Sequence, residues 1–338
     1  MNKVRLKDIA EQTGVTVSTV SAALNGTGRI GHAKQKMIRD AANKMGFQPN
    51  LAAKLMRSRE NNIFGLIISE NIKSLAGHGV YSELQENFII ECNTNRIRTF
   101  VEINRSMHLP LMLNDGMVRG VIHAGVISGE IEKWLNAHPN FPFVSYEEPW
   151  KHCVISEFSS GVFNAMQHLS ETGHKRVALI CGGYKSNTHS QTLQGYNKGI
   201  EEFSLEHFDN MVQLQKTRRG QEHNQENIAL LDNLIKSKKR PDALLLSGKQ
   251  LTSTAIYHLL SNGIRIPEDM SIVAICSGWE AAAIYPGVTA VQRNNPVTIS
   301  KAIQLLKKIS SGIVNEPVEI HVPTGFELRN TVISRLKK

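Results

Sequence analysis

The stretch LKDIAEQTGVTVSTVSAALNG, residues 6–26, decides the fold of the amino-terminal part of the chain. Apolar residues recur at helical spacing over 6–12, which predicts a helix whose buried face is formed by Leu6, Ile9 and Ala10. Gly14 follows as a break, because glycine adopts the positive φ of a tight turn without steric cost. A second helix is predicted over Val17–Asn25, with Thr16 as its N-cap. Its inward side is formed by Val20 and Leu24.

A third helix is predicted over about His32–Met45, after Gly26-Thr27-Gly28 ends the second one. Its buried side is expected to consist of Met37, Ile38, Ala41 and Met45. Gly46, just past its end, is the expected C-cap. Three short helices around a small core, with a glycine turn between the first two, are typical of a helix-turn-helix domain.

The outward face of the second helix carries only short side chains, namely Val17, Ser18, Ser21, Ala22 and Asn25. Such a helix can lie deep in the major groove of double-stranded DNA. Residues 1–60 hold 11 Lys and Arg against 4 Asp and Glu, whereas the remaining 278 residues hold 28 against 26. This asymmetry indicates a polyanionic partner for the amino-terminal part, and the alternative is a charged terminus that only aids solubility.

The pattern Asp8-Ile9-Ala10-x3-Gly14-Val15-x3-Thr19-Val20-Ser21-x2-Leu24-Asn25-Gly26 closely resembles the headpiece of the LacI/GalR (lactose-repressor/galactose-repressor) family of bacterial transcription regulators. The resemblance implies that the bases are read by Val17, Ser18 and Ala22. It also implies contacts that position the DNA backbone or flank the bases, from Leu6, Thr16, Thr19, Ser21, Asn25, Arg29 and Phe47. Ala22 departs from the arginine often found there, so a bidentate guanine contact worth roughly 1–3 kcal/mol of discrimination is missing. Val17 can instead contact a thymine methyl.

The segment after the headpiece has the composition of a short hinge helix. Pro49 stops the preceding chain, Asn50 suits an N-cap, and residues 51–57 are mostly good helix formers. A helix of about eight residues is marginal alone, so it is expected to order only with a partner. The resemblance to the family's hinge covers Pro49, Asn50, Ala53, Lys54 and Arg57. It implies that paired hinge helices enter the minor groove, with Met56 as the intercalating wedge; the alternative is that Leu55 and Met56 make only dimer contacts.

From Asn62 onward, apolar segments alternate with amphipathic ones, which indicates an α/β body with open parallel sheets. The predicted strands are Ile63–Ile68, Thr99–Ile103, Val118–Ala124, Phe143–Tyr146, Arg176–Ile180, Ala243–Ser247 and Ser271–Ile275. The predicted helices are Glu83–Thr94, Ser159–Thr172, Thr192–Glu202, Asn224–Lys236, Thr252–Asn262 and Thr298–Ser311.

Several body stretches resemble the same family's effector-binding core, which is similar to periplasmic sugar-binding proteins. They are His168-Leu169-x3-Gly173-His174-Lys175-Arg176-Val177-Ala178, Pro241-Asp242-Ala243, Gly263-x2-Ile266-Pro267-Glu268-Asp269-x-Ser271-Ile272-Val273 and Glu327-Leu328-Arg329. The resemblance implies an all-α helix-turn-helix headpiece at 1–48, a hinge helix and linker at 49–61, and a core at 62–338. In the core, the chain would cross three times between two subdomains. The first is expected at about 62–158 and 291–320, and the second at about 159–290 and 321–338. A ligand would lie between them, at the carboxyl ends of the strands.

Three polar groups that the family commonly uses to hold its effector are absent. Thr192 stands where an arginine is usual, Gly248-Lys249 replaces Asn-Asp, and Cys276-Ser277 replaces an aspartate. Their loss argues against a standard sugar in the standard pose. Lys249 favours an anionic ligand such as a sugar phosphate or sugar acid. The expected effector contacts are Tyr146, Thr192, Lys249, Cys276 and Trp279, and Tyr184 offers a further stacking face. The alternative is that the aromatic residues pack in the core and Lys249 is solvated.

No catalytic, cofactor or metal site is expected. The 13 histidines contain no HxxxH pair near a carboxylate or cysteine, and the 4 cysteines form no CxxC pair. Gly182-Gly183 is too short a glycine run for a phosphate-binding loop. No apolar run approaches the roughly 18 residues of a membrane span, and no apolar stretch of a secretory signal follows the first residues.

The sequence therefore predicts a cytoplasmic transcriptional repressor that binds a pseudo-palindromic double-stranded DNA operator as a homodimer. Its expected effector is a small molecule such as a sugar, sugar phosphate or sugar acid. The lack of a leucine heptad after Arg329 favours a dimer over a tetramer. The alternatives are an effector-independent, architectural DNA-binding regulator with a degenerate cleft, and a solute-binding protein, against which the basic headpiece argues. An enzyme is not expected, and neither is a membrane partner.

Overall fold

The computed structural model describes residues 4–25, 30–47, 62–69, 79–104, 108–183, 186–216, 221–285 and 287–336. The chain divides into two compact units, Met1–Asn61 and Asn62–Lys338. The first is called the headpiece here and the second the body. Within the described residues, no helix is long and apolar enough to cross a membrane.

The headpiece consists of α1 (Leu6–Thr13), α2 (Val17–Asn25) and α3 (His32–Lys44). The three predicted helices are confirmed, and α2 has the predicted bounds. Each helix contributes two fully buried side chains to one small core, which is formed by Ile9, Ala10, Val20, Ala23, Ile38 and Ala42. The helices therefore hold one another through a single apolar cluster.

The predicted buried side of α3 is wrong at Met37, because the Met37 side chain is 44% exposed. Ala42 is buried in its place. The reason is helical geometry: Ile38 and Ala42 are four residues apart and share a face, whereas Met37 lies about 100° around the helix from Ile38.

Both predicted glycine ends are confirmed. Gly14 has φ of 64°, and its N–H donates to the Ala10 carbonyl. Gly46 has φ of 69°, and the Phe47 N–H donates to the Ala42 carbonyl at 2.9 Å. Left-handed glycines at these positions satisfy the last helical carbonyls, so each helix ends where the sequence predicts.

The body contains two lobes, each built on a six-stranded sheet. The first lobe begins with β1 (Ile63–Ser69), α4 (Gly79–Thr94), β2 (Arg98–Asn104), α5 (Leu111–Asn114), β3 (Gly120–Gly125), α6 (Gly129–Ala137), β4 (Phe143–Tyr146) and β5 (His152–Glu157). The second lobe holds α7 (Phe158–Glu171), β6 (Val177–Gly182), α8 (Asn187–Glu202), β7 (Val212–Gln215), α9 (Gln221–Ile235), β8 (Ala243–Ser247), α10 (Lys249–Ser261), β9 (Ser271–Ile275), α11 (Gly278–Ala283) and β10 (Thr289–Gln292). The chain then forms α12 (Asn295–Ser310), β11 (Val318–Pro323) and β12 (Gly325–Glu327).

The strand order is β11-β5-β4-β3-β1-β2 in the first sheet and β12-β10-β9-β8-β6-β7 in the second. All neighbours are parallel except β12, which pairs antiparallel with β10. The core of the first lobe includes side chains of α4 and α12, so α12 belongs to the first lobe although it follows a strand of the second. Every strand and helix predicted for the body is present, with ends shifted by a few residues, whereas the predicted hinge helix lies outside the described residues.

The chain passes between the lobes three times: after Glu157, after Gln292, and between Pro323 and Gly325. The second and third crossings lie slightly beyond the expected 290/291 and 320/321 positions, because β10 continues to Gln292 and β11 to Pro323. Parallel sheets bring the carboxyl ends of their strands to one edge, so both lobes present loops to the boundary between them.

Candidate nucleic-acid interface and ligand cleft

The exposed side of α2 is the part of the headpiece available to DNA. Val17 is 43% exposed and Ser18 is exposed, whereas Val20 and Ala23 are fully buried. Ser21 and Ala22 are half-buried on the flank between these sides. The residues predicted to read bases therefore lie outside the headpiece core; they are Val17, Ser18 and Ala22.

Hydroxyl groups cluster at the beginning of α2. The Thr16 Oγ1 accepts the Thr19 N–H at 3.2 Å, which confirms the predicted N-cap. The same oxygen lies 2.8 Å from the hydroxyls of both Ser18 and Thr19. A helix N-terminus that presents hydroxyl groups can bind a phosphate oxygen.

The other predicted DNA contacts fall into two groups. Leu6 and Phe47 pack against the headpiece core and are only partly buried. The side chain of Asn25 and six whole residues lie outside the described part of the structure, namely Arg29, Asn50, Ala53, Lys54, Met56 and Arg57. The minor-groove wedge at Met56 thus stays a prediction.

At the lobe boundary, a buried ion pair joins the end of β4 to the segment after β10. The Glu147 carboxylate accepts hydrogen bonds from Arg293 Nε at 2.9 Å and from the Ser156 hydroxyl at 2.6 Å. The Arg293 guanidinium also lies over the rings of Phe158 and Tyr146, 5.0 and 5.9 Å from their centroids. Arg293 therefore has its charge balanced by Glu147 and its faces covered by aromatic rings.

The beginning of α8 connects the second lobe to the first. Asn187 Nδ2 donates to the Glu147 carbonyl at 2.9 Å, and the Asn187 N–H donates to Glu148 Oε2 at 3.4 Å. Burial raises the pKa of the Glu148 carboxyl, although the bond from the Asn187 backbone opposes that rise. These bonds connect the two lobes directly.

A second polar group lies nearby, around Glu83 of α4. The carboxyl of Glu83 lies beside the Asn295 amide and the Ser277 hydroxyl, within electrostatic reach of Arg293 and Glu280. Burial is the largest effect on Glu83 and raises its pKa above the usual range. Asn295 and Glu280 are buried almost completely. This set of five residues is called the Glu83 cluster below.

The structure places the expected effector residues in three different surroundings. Tyr146 donates its hydroxyl hydrogen to Asn295 Oδ1, and Cys276 lies close enough to Glu280 to feel its charge, so both border the Glu83 cluster. Thr192 is fully buried and donates to the Thr188 carbonyl of its own helix.

Lys249 and Trp279 contact each other, with Nζ 4.8 Å from the ring centroid. Lys249 also lines an open groove of about 720 Å³ between α9 and α10. Tyr184 lies outside the described residues.

The sequence analysis missed Glu83, Glu147, Arg293, Asn295 and Glu280. A signal exists for two of them, because the polar run Gln292-Arg293-Asn294-Asn295 directly follows a strand, where ligand-facing loops occur in parallel sheets. Among the described residues, no group of three or more His, Cys, Asp and Glu that could hold a metal ion is found. Burial raises the pKa of the Cys276 thiol to about 12, so the sulfur is protonated at neutral pH.

Comparisons with known proteins agree with this arrangement. A family model described as bacterial regulatory proteins, lacI family, matches residues 5–50, and one described as a periplasmic binding protein-like domain matches residues 166–332. The HTH-type transcriptional repressor PurR of Vibrio atlanticus (strain LGP32) is 22% identical over 341 residues, covering 98% of this chain and 97% of that protein. The HTH-type transcriptional regulator CelR of Thermobifida fusca is 23% identical, covering 96% and 97%.

Among solved structures, the lac repressor dimer bound to operator and the anti-inducer ONPF has a TM-score of 0.82 at 18% identity. That match covers 98% of this chain and 100% of the repressor chain. The two family models together match more than half of the chain, in the order headpiece then body. The chain belongs to the LacI/GalR family of bacterial transcription regulators.

Proposed function

We propose that this protein is a cytoplasmic, sequence-specific transcriptional repressor that binds a pseudo-palindromic operator as a homodimer. The observation that carries the proposal is the exposed side of α2, which presents short side chains on a helix-turn-helix whose core is complete. A helix with that face fits the major groove, and a homodimer places two of them about one helical turn of DNA apart. No catalytic step is part of the proposal.

Within this proposal, Val17, Ser18 and Ala22 read base edges. Thr16 and Thr19 contact the DNA backbone from the beginning of α2, and Met56 of each subunit inserts into the minor groove between the half-sites. An apolar wedge bends the duplex, so part of the sequence preference comes from how easily the central base pairs deform.

The proposed dimer contact uses apolar side chains that the body leaves exposed. In the second lobe, Tyr257 of α10 is 76% exposed, and Leu260 and Trp279 are exposed by about half. In the first lobe, Phe100 and Ile103 are exposed on β2, an edge strand. A second copy that covers these surfaces removes apolar area from water and protects a sheet edge from other partners.

A small molecule in the cleft is proposed to change the spacing of the two lobes and thereby the pairing of the hinge segments. The support comes from relatives: one similar structure is a CelR–cellobiose complex, and another is a LacI family regulator with bound ribose. The polar side chains at the lobe boundary of this chain provide hydrogen-bonding groups of the kind that orient a small ligand.

A second candidate is an effector-independent regulator. It is favoured by the bonds from Asn187 to Glu147 and Glu148, because these connect the lobes through protein groups alone. Such a protein would bind its operator equally well at every concentration of every metabolite of the cell that carries it.

The experiment that tests the proposal is recovery of genomic DNA fragments by the purified full-length protein. Salt is fixed at a physiological concentration with excess nonspecific competitor, because phosphate contacts alone change the affinity by orders of magnitude. We expect one or a few pseudo-palindromic sites. A Val17→Ala/Ser18→Ala variant should lose them, and Lys133→Ala, an exposed position on α6, should keep them. Broad recovery without a shared motif would refute operator-specific repression.

A further inference from the structure

We propose that the Glu83 cluster binds a protonated amine, and that the effector is a polyhydroxylated molecule bearing an ammonium group, of the amino-sugar class. This inference rests on the proposed function, because it takes the cleft to be the effector site. It narrows the class of small molecule from sugars in general to those with a positive charge.

The position of the two carboxyl groups is the first argument. Glu83 belongs to α4 of the first lobe, whereas Ser277 and Glu280 belong to the beginning of α11 in the second lobe. Glu280 is only 2% exposed, and its carboxylate accepts the Ser277 N–H at 3.4 Å. The two carboxyl groups therefore meet across the lobe boundary, where Glu280 disfavours the ionised form of Glu83.

The charge balance is the second argument. Arg293 is the only cation acting on Glu83 among the described residues, and it already pairs with Glu147 at 2.9 Å. The carboxyl groups of Glu83 and Glu147 thus share the Arg293 guanidinium, and the Glu280 carboxyl adds a further negative charge beside Glu83. A buried charge without a counter-ion is costly, so a ligand that supplies positive charge between Glu83 and Glu280 is favoured over a neutral or anionic one.

Lys249 does not change this balance at Glu83. Its ammonium lies over the Trp279 ring and borders the groove between α9 and α10, and it is absent from the groups that act on the Glu83 carboxyl.

Buried polar atoms without a well-formed hydrogen bond are the third argument. Asn295 is 0% exposed; its Oδ1 accepts the Tyr146 hydroxyl, but its Nδ2 has no hydrogen-bond partner of good geometry. Glu83 Oε2 is likewise buried without such a partner. The Asn295 amide and the Glu83 carboxyl lie beside each other without good hydrogen-bond geometry, so a ligand hydroxyl can accept from Asn295 and donate to Glu83. An ammonium beside a hydroxyl is the chemistry of an amino sugar.

The test compares three matched sets of sugars on the full-length protein by isothermal titration calorimetry. The probes are D-glucosamine, D-galactosamine and D-mannosamine, each against its parent hexose and the hexose 6-phosphate. We expect at least one amino sugar to bind ten-fold or more tightly than its hydroxyl counterpart. Glu83→Gln, which keeps the shape and removes the charge, should abolish the preference. Glu86→Gln, on the exposed side of the same helix, should retain it.

A second readout separates a charge contact from a merely structural role. Burial raises the Glu83 pKa, and a bound ammonium favours the ionised carboxylate, so acid that protonates Glu83 should oppose binding. The amine preference should therefore weaken as the pH is lowered into the range where Glu83 gains its proton, and in that range the binding enthalpy should depend on the ionisation enthalpy of the buffer. Neither effect should occur in Glu83→Gln.

The proposal is overturned if a parent hexose or hexose phosphate binds as tightly as the amino sugar, or if no amine preference exists in any of the three sets. Operator binding is measured on the same preparation without ligand. Specific DNA binding without an amine preference overturns this inference and leaves the repressor function standing. An amine preference without specific DNA binding leaves this inference standing and overturns the proposed repressor function.

Discussion

Acid should destabilise the first lobe through His123 of β3. The side chain is fully buried; Nε2 lies 2.9 Å from the Ser69 hydroxyl, and the ring stacks on Phe143 with centroids 5.7 Å apart. Nδ1 has no hydrogen-bond partner. Burial lowers the pKa of the imidazole to about 4, because the protonated ring would lose its hydration without gaining a counter-charge.

The magnitude follows from the difference between the folded and unfolded pKa. In the unfolded chain His123 titrates near 6.5, so below that pH the unfolded state binds a proton that the folded state does not. The stabilising effect is complete above pH 6.5 and is lost as the pH falls towards 4. A difference of about 2.5 units corresponds to about 3 kcal/mol, of which about 2 kcal/mol should disappear between pH 7 and pH 5.

Urea unfolding of the full-length protein at pH 7, 6 and 5 measures this loss. His123→Gln keeps a donor for Ser69 but does not titrate, so its free energy of unfolding should fall by about 2 kcal/mol less than that of the unaltered protein over this range. His207→Gln, at an exposed position, is the matched control and should behave like the unaltered protein. Burial also lowers the pKa of His152 and of His174, and their contribution to the pH dependence of stability is the same in all three proteins. Identical pH dependence with and without His123 would show that the reasoning is wrong.

Three further predictions concern single residues. Met56→Ala should weaken binding to the operator far more than binding to random DNA in a competition gel-shift assay, and an equal loss on both would exclude the wedge. Gly14→Ala should destabilise the headpiece by about 1 kcal/mol, since φ of 64° is strained for alanine while open space surrounds the new methyl; unchanged thermal unfolding would contradict this. Gly195→Ala should lower the free energy of unfolding by roughly 1–3 kcal/mol, because the added carbon collides with the Ser159 carbonyl where α7 and α8 cross. The control substitution Gly129→Ala, at an exposed position with open space around it, should leave that free energy nearly unchanged.

Local patterns were enough to predict the headpiece. The bounds of α2 follow from Thr16 and from the inward spacing of Val20 and Leu24, both of which are decided within nine residues. Met37 shows the limit of this reasoning, since Met37 and Ile38 are adjacent apolar residues and only the packing of the three helices selects Ile38 for the core. The prediction was wrong at Met37 because Ala42, four residues after Ile38, is the second residue of this helix in the core.

The cleft depended on distances along the chain that local patterns do not contain. Glu83 and Glu280 are separated by almost two hundred residues and lie on different lobes, so only the crossing topology brings them together. Glu83 also sits in a helix where a glutamate reads as an ordinary solvated residue. Lys249 followed a strand end, as a ligand contact should, yet its side chain lies over Trp279 instead of beside Glu83.

The return of the chain to both sheets at its far end has a consequence for biosynthesis. The first sheet takes its edge strand from Val318–Pro323, and the second takes its own from Gly325–Glu327. The first sheet cannot therefore be completed on the ribosome until translation has passed residue 323, nor the second until it has passed residue 327, whereas the headpiece helices are synthesised before the body. A nascent chain would carry a folded DNA-binding domain ahead of a body that is still incomplete. Premature truncation would thus leave a molecule able to touch DNA but without either finished sheet.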